Sequence, residues 1–364
     1  MNKLLFIVLN IFLGALLANS IAPLMPIFQE KLNATVAFSS FIPVVNTAGT
    51  TIFSFIISFF INKLGLKRTY FIGYTFLLFS LLILSFFESL NFILIGVFLM
   101  GAGLSIVFTS STTFLSHFED PKFGVFHGFF GLGGILSPMF VSFFFKSSIS
   151  YKYLYLVYLS FGVFLLVWNI NMKFPDIKIN ENSFSKSKPY LKPLFYITVL
   201  SLFFYSASEI STITWAPNLF LEFGFTKQQA ALFLSIFWGV FTFSRFLMDF
   251  QLKLVNYRFY VLTITSLSFI FLSLLIVLKM PFLFYLFGLS MGAIFPLIQR
   301  NANIKLDKSE VGFLNGITYS ATGIGSLLFI SIMGYISKFS IRAMFVVPII
   351  GLAVVFLLQK NLRD

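Results

Sequence analysis

One carboxylate and one imidazole lie inside apolar stretches of this sequence, where either group could carry a proton. Glu209 is well within the stretch 194–220, and His127 is early in the stretch 123–145. Holding a charged carboxylate at the centre of a bilayer costs roughly 3 kcal/mol, so a chain tends to keep one that pairs, binds a polar ligand or takes up a proton. Glu209 and His127 are therefore the predicted proton-coupling residues. The alternatives are a structural glutamate and a histidine that packs helices together.

A second charged pair lies in the apolar stretch 228–250. Arg245 and Asp249 are four residues apart, about one helical turn, so their side chains can face each other. We predict a structural pair or a gate from this spacing, in preference to substrate binding.

Amides and indoles in other apolar stretches could bind a neutral solute that is rich in hydroxyl groups. An amide offers donors and acceptors together, and an indole N–H can donate to a hydroxyl beside the ring. The predicted solute-binding residues are Asn19, Asn46, Trp215, Trp238, Gln299 and Asn315. The alternatives are interhelical hydrogen bonds for the amides and interface anchoring or packing for the tryptophans.

The composition places most of the chain in lipid. Of 364 residues, 58% are hydrophobic and only 10% are charged, which is too much apolar surface for a soluble protein of this size. The absence of Cys excludes disulfides, iron–sulfur clusters and thiolate metal sites. With only two His, the sequence also lacks the nucleophile–base or metal-ligand set of an enzyme, and no metal or cofactor is expected.

Twelve apolar stretches are long enough to cross about 30 Å of hydrocarbon. Their backbone groups must be satisfied within each stretch, so all are predicted to be helices. They are residues 4–27, 37–61, 69–87, 91–115, 123–145, 153–172, 194–220, 228–250, 259–278, 281–301, 311–336 and 341–358.

The net charge of +13 does not predict a nucleic-acid partner, because the basic residues concentrate in short loops on one side of the predicted spans. This positive-inside pattern places both termini in the cytoplasm. The first stretch lacks a convincing cleavage site and is expected to stay as a membrane helix. We expect a multi-pass protein of the cell membrane, which is the inner membrane in a Gram-negative bacterium.

The polar stretch 173–193, rich in Lys, Ser and Asn, predicts a cytoplasmic linker between two six-helix halves, 1–172 and 194–364. The halves resemble each other at an offset of about 190 residues. The matching positions include Ser54/Ser244, Lys63/Lys253, Arg68/Arg258, Gly124/Gly312 and Gly128/Gly316. Parallel repeats of this kind favour alternating access, with the solute near the membrane midplane.

The loop 58–68, SFFINKLGLKR, resembles the signature Gly-x-x-x-Asp-Arg-x-Gly-Arg-Lys-Arg of the major facilitator superfamily. Gly65 and the bases Lys63, Lys67 and Arg68 match, whereas Ser58 replaces the first Gly, Asn62 the Asp and Leu66 the middle Arg. In that superfamily the loop latches the two halves, so the resemblance implies gating by Asn62, Lys63, Gly65 and Arg68. The replacement by Asn62 removes the ionic part of that latch. The resemblance also implies an all-α membrane fold of about twelve helices that works as a monomer.

Three further segments resemble the fucose-permease-like branch of that superfamily. They are GVFHGFFGLGGILSP at 124–138, SEISTITW at 208–215 and SIFWGVFTFSR at 235–245. The resemblance implies sugar transport coupled to protons. Fucose permeases carry an acid in the first helix where this chain offers Asn10 and Asn19, so their proton mechanism does not transfer as a whole.

Together these features predict a secondary active transporter that moves a small polar solute, a sugar in the first place, with a proton. A cluster of buried bases, expected for an anion such as phosphate or nitrate, is absent from the sequence. The alternative is a proton-driven exporter of amphipathic drugs or lipids, for which the 55 Phe residues could line a cavity. A membrane enzyme or a sensor is a remote third possibility.

Overall fold

A computed structural model describes residues 3–32, 41–147, 149–175, 190 and 192–362, and it folds these residues almost entirely into helices. In chain order the helices are α1 (Lys3–Ala18), α2 (Ile21–Leu32), α3 (Phe41–Phe86), α4 (Leu90–Leu115), α5 (Phe123–Lys146), α6 (Tyr151–Asn171), α7 (Pro193–Glu222), α8 (Lys227–Gln251), α9 (Tyr257–Leu278), α10 (Pro281–Met291), α11 (Ile294–Lys305), α12 (Lys308–Ile336), α13 (Ile341–Met344) and α14 (Val346–Lys360).

Within the described residues, 11 helical stretches are long and apolar enough to cross a membrane. Three of them join short neighbours: α1 with the start of α2, α10 with α11, and α13 with α14. Helix α3 has 46 residues, or about 69 Å at about 1.5 Å per residue, which is twice the thickness of the hydrocarbon core. Counted as two spans, it brings the total to twelve, and the predicted fold is confirmed.

The predicted loop after the second span is instead a kink inside α3. Only Gly65 leaves the helical conformation there, with φ 74° and ψ 157°. Residues other than glycine rarely adopt these backbone angles. A single glycine therefore turns the chain where the sequence predicted a polar loop.

The chain divides into two compact units. Unit 1 contains residues 1–121, 129–187 and 307–320, and unit 2 contains residues 122–128, 188–306 and 321–364. Helix α5 is thus divided between the units after Gly128, near its start, and α12 is divided after Ser320, near its middle. Most of the predicted linker, residues 176–189 and 191, lies outside the described residues.

Some contacts inside each unit recur at the spacing of the predicted duplication, which stays a prediction. In unit 1, Lys67 Nζ donates to the carbonyl oxygen of Ile170 at 2.7 Å. In unit 2, Arg258 Nη2 donates to the carbonyl oxygen of Lys360 at 3.0 Å. Donors and acceptors are each about 190 residues apart in the sequence, so the two units share this brace between an early and a final helix.

Helix caps and close helix contacts follow the same spacing. Ser150 caps α6, and Ser340, 190 residues later, caps α13. Gly133 lies against the carbonyl of Phe12 in unit 1, while Gly325 lies against the carbonyl of Phe203 in unit 2. A Cβ at either glycine would meet backbone atoms of the neighbouring helix, as small residues at membrane helix contacts require.

Candidate functional site

Helices α7 and α8 of unit 2 position three of the predicted proton-coupling and gate residues: Glu209 on α7, and Arg245 and Asp249 on α8. Helix α7 begins with Pro193 as its first residue, where the missing proline N–H leaves no helix bond unmade. Helix α8 begins with a capping box in which Thr226 and Gln229 bond each other's backbone N–H groups. Glu209 lies one turn after Tyr205 on α7, so the two side chains share a face.

Arg245 of α8 forms its ion pair with Glu209 of α7. Arg245 Nη2 lies 3.7 Å from Glu209 Oε1, and the side chains are 5% and 11% exposed. The guanidinium carbon also lies 4.2 Å from the centre of the Phe241 ring, and the Tyr205 hydroxyl is beside both charges. The two charges therefore compensate each other in the apolar interior of unit 2.

The predicted pairing of Arg245 with Asp249 is wrong. Asp249 Oδ2 instead accepts the backbone N–H of Val125 at 3.1 Å, in the first turn of α5, where N–H groups lack partners within the helix. Spacing of four residues places two side chains on one face, but each then meets a different neighbouring helix. The gating role of Arg245 and Asp249 stays a prediction.

A break between α10 and α11 provides backbone acceptors to this cluster. Pro296 has no N–H with which to bond the carbonyl of Gly292, four residues earlier. Arg245 Nε donates to that carbonyl at 3.1 Å, and Tyr205 Oη donates to the carbonyl of Met291 at 3.1 Å. The sequence prediction did not include this break, although a proline four residues after a glycine within an apolar stretch was its signal.

His127 and Gln299 complete the cluster. His127 Nε2 lies 2.7 Å from Gln299 Oε1, so the imidazole donates to the amide oxygen. Arg245 Nη1 donates to the carbonyl of His127 at 3.4 Å. The structure thus brings together four residues with three predicted roles: proton coupling for Glu209 and His127, solute binding for Gln299, and gating for Arg245.

Two other predicted solute-binding residues of unit 2 lie apart from this cluster. Trp215 Nε1 donates to the carbonyl of Ile330 in α12 at 3.4 Å. This contact is of the kind expected if the indole packs helices together. Trp238 is half-buried on α8, with its ring centre 5.4 Å from that of Phe241. Solute binding by either indole stays a prediction.

The remaining predicted amides are in unit 1. Asn46 Nδ2 donates to the carbonyl of Val97 in α4 at 2.8 Å, and Asn19 Nδ2 donates to the carbonyl of Ala15 at 2.8 Å. Asn315 is buried in α12. Asn46 therefore makes an interhelical hydrogen bond, and solute binding by the three amides stays a prediction.

The predicted gate around the kink of α3 has one interhelical contact among its four residues. Asn62 is buried and its Nδ2 donates to the carbonyl of Ser309 at the start of α12, within unit 1. Lys63 and Arg68 are exposed, and Gly65 forms the kink. Asn62 thus makes a neutral hydrogen bond where the superfamily signature has a charge.

His117 lies between two spans, next to the start of α12. His117 follows α4, and burial lowers its pKa below the ordinary value, with the positive charge of Lys308 acting in the same direction. His117 is therefore neutral at pH 7. In the part of the chain that the structure describes, no group of three or more His, Asp or Glu could hold a metal ion.

Comparison with known proteins decides the family. The sequence profile of the Major Facilitator Superfamily matches residues 7–306. The chain belongs to the major facilitator superfamily. Members of this superfamily are multi-pass membrane transporters and not enzymes, so the predicted family and the predicted absence of enzyme activity are confirmed.

Solved superfamily structures share the fold along the chain. The E. coli fucose:proton symporter FucP has a TM-score of 0.81 and 17% identity, covering 98% of this chain and 97% of that chain. The proton:xylose symporter XylE has a TM-score of 0.75 and 12% identity, covering 98% and 95%.

Curated relatives in the superfamily are distant. The "Protein TsgA homolog" of Buchnera aphidicola subsp. Baizongia pistaciae is 24% identical over 315 residues, 84% of this chain and 80% of the relative. The "Probable nitrate transporter NarT" of Staphylococcus carnosus is 24% identical over 127 residues, 35% of this chain and 33% of the relative.

Proposed function

We propose that this transporter moves a small polar solute, a sugar in the first place, together with a proton that Glu209 binds and releases. One observation carries the proposal: Glu209 is 8% exposed inside a membrane-spanning helix, with its carboxylate 3.7 Å from the guanidinium of Arg245. A carboxylate in such a position is costly to keep and is expected to have a function.

The coupling follows from the charge of the cluster. With Glu209 ionised, its charge and that of Arg245 cancel. A proton on Glu209 leaves the guanidinium uncompensated in an apolar site, which is unfavourable unless the solute supplies new polar contacts. Proton binding and solute binding therefore favour each other, as symport requires.

We assign His127 a positioning role in this cycle. Its Nε2 holds Gln299 at 2.7 Å, while its carbonyl accepts from Arg245. A second positive charge on the imidazole would be repelled by the guanidinium. A neutral His127 that aligns the amide of Gln299 is thus the role that its contacts support.

Sugar is supported by the amide and indole residues of the spans and by the resemblance. FucP and XylE, both named as sugar:proton symporters, share the fold with this chain. Binding between two repeats by alternating access is the common scheme for such folds.

Uptake in proteoliposomes tests the proposal. Wild type and Glu209→Gln are compared over a panel of hexoses with an inward proton gradient. The matched control is Glu222→Gln, at the last residue of α7, whose carboxylate pairs with Arg342 at 2.8 Å and is 29% exposed. We expect gradient-driven uptake in wild type and the control, and its loss in Glu209→Gln. Equal uptake in all three proteins would make Glu209 a structural residue.

Nitrate is the second candidate solute. The similarity to NarT over 127 residues and the buried guanidinium of Arg245 favour it. Nitrate uptake into the same vesicles, without uptake of any hexose, would replace the sugar assignment. A lack of response to hexoses, nitrate and sugar acids alike would favour the exporter of amphipathic compounds.

A further inference from the structure

We infer that the transported solute carries a carboxylate, and that Glu209 is the internal anion that this carboxylate replaces beside Arg245. The inference rests on the proposed function and narrows its solute to an organic acid anion, with a sugar acid as the first class. The argument uses the donors of Arg245, the charge balance of the site and two buried hydroxyls.

Arg245 has hydrogen-bond donors to offer. A guanidinium has five N–H donors in a planar fork. Within the described residues, Nε donates to the carbonyl of Gly292 and Nη1 to that of His127, and the Tyr205 hydroxyl lies beside the guanidinium. Nη2 is 3.7 Å from Glu209, whereas a direct charge-assisted hydrogen bond is about 2.7–2.9 Å long. The Nη2 edge therefore suits a planar oxyanion that can approach more closely than the tethered carboxylate.

The charge of the site is balanced in two ways. In one, ionised Glu209 compensates Arg245. In the other, Glu209 has taken a proton from water, and the carboxylate of the solute compensates Arg245. Both states bury one positive and one negative charge, so the exchange avoids an uncompensated ion. Each cycle moves one proton and one monovalent anion, and no covalent bond of the solute changes.

Two buried hydroxyls favour a solute that also has hydroxyl groups. Thr212 lies three residues after Glu209 on α7, and Thr242 lies three residues before Arg245 on α8, so each shares a face with its charged neighbour. Both side chains are buried, and neither Oγ1 has a hydrogen-bond partner among the described residues. Some other span hydroxyls, such as that of Thr214, donate to a carbonyl four residues earlier, while others, such as that of Ser211, also lack a partner among the described residues.

The charged and titratable groups around Glu209 determine how many protons are transported with each solute. Arg245 of α8 and Tyr205 of α7 act on its carboxyl group. His127 of α5 contacts Arg245 through its carbonyl. Because Glu209 is the acid among them, one proton should accompany each solute anion.

The test measures binding and uptake of gluconate, glucose and nitrate between pH 5.5 and 8 in proteoliposomes. For wild type and the control Glu222→Gln, we expect the dissociation constant for gluconate to rise by about tenfold per pH unit in the alkaline range, as one-proton linkage requires. In Glu209→Gln, gluconate should bind as tightly as in wild type at low pH, without this slope and without gradient-driven accumulation.

Arg245→Lys keeps the charge but removes the planar fork, and it should weaken gluconate binding at every pH. It serves as the second variant, since Arg245→Gln could fail to fold. Glucose uptake that depends on Glu209, without gluconate binding, would overturn the inference and leave the proposed function standing. Nitrate binding with the pH slope, without gluconate binding, would overturn the carboxylate assignment. Gluconate binding with the same pH slope in Glu209→Gln as in wild type would contradict both proposals.

Discussion

The contribution of the Glu209–Arg245 ion pair to stability can be measured by removing each partner in turn. Both side chains are nearly inaccessible, at 11% and 5% exposure. Removing one partner of such a pair costs about 3–5 kcal/mol, because the other charge stays buried without compensation, whereas removing both is close to neutral. We expect Glu209→Gln and Arg245→Met each to lower the free energy of unfolding by this amount at pH 7. The double variant should recover most of the lost stability.

The two single variants should respond differently to pH. In Arg245→Met, the buried Glu209 can become neutral by binding a proton that the unfolded chain does not bind above the ordinary glutamate pKa of about 4.3. This costs about 3.7 kcal/mol at pH 7 and about 1 kcal/mol at pH 5, at about 1.36 kcal/mol per pH unit. Stability should therefore rise as pH falls between 7 and 5. In Glu209→Gln, arginine cannot discharge, and no such recovery is expected.

Thermal unfolding of the detergent-purified protein measures both effects. At about 2 °C per kcal/mol, each single variant should unfold roughly 6–10 °C below wild type at pH 7. Arg245→Met should approach the wild type at pH 5 while Glu209→Gln does not. Losses that simply add in the double variant, or equal recovery of both single variants on acidification, would refute a coupled buried pair.

Three further changes test the scaffold. Pro296→Ala returns an N–H to the carbonyl of Gly292, and we expect it to raise thermal stability by about 1–3 kcal/mol while slowing solute uptake, measured in the same proteoliposomes. Gly65→Ala places a side chain at φ 74° and should cost about 1–3 kcal/mol, seen as a lower unfolding temperature. Gln359→Leu removes two side-chain hydrogen bonds of 2.6 and 2.8 Å and should cost about 1–3 kcal/mol by the same measurement.

The spans were predictable because hydrocarbon thickness and backbone hydrogen bonding fix the length of an apolar helix. Interruptions were harder to predict. Apolar residues surround the break near Gly292, and averaging over a long stretch hides a single proline. At Gly65 the sequence predicted too large an interruption. The polar residues that flank the glycine suggested a loop, whereas a kink at one residue joins the two helical parts of α3.

The site was predictable only in part, for a reason of geometry. A carboxylate in an apolar stretch identifies Glu209 without any structure, because its cost is set by the membrane. The residue that pairs with Glu209 cannot be identified from the sequence in this way. Spacing shows that Arg245 and Asp249 share a face of α8, but which neighbouring helix each side chain meets depends on how the helices pack. The acceptor of Arg245 at Gly292 is a backbone group, which composition does not distinguish.

The charged pair that we propose for proton coupling lies in unit 2 and does not follow the predicted repeat. The brace of Lys67 in unit 1 and that of Arg258 in unit 2 are equivalent, so the repeat preserves what holds helices together. The charged pair departs from this repeat, because the repeat alignment places Ala18 opposite Glu209 and Phe55 opposite Arg245.

A second buried ion pair in unit 1 would add another desolvation cost of several kcal/mol and a second titrating carboxylate to each cycle. With a single pair, the arrangement predicts a stoichiometry of one proton per solute. Simultaneous measurement of proton and solute fluxes should therefore give a ratio of about one, and a ratio near two would require an acid that unit 1, as described, does not place at the equivalent position.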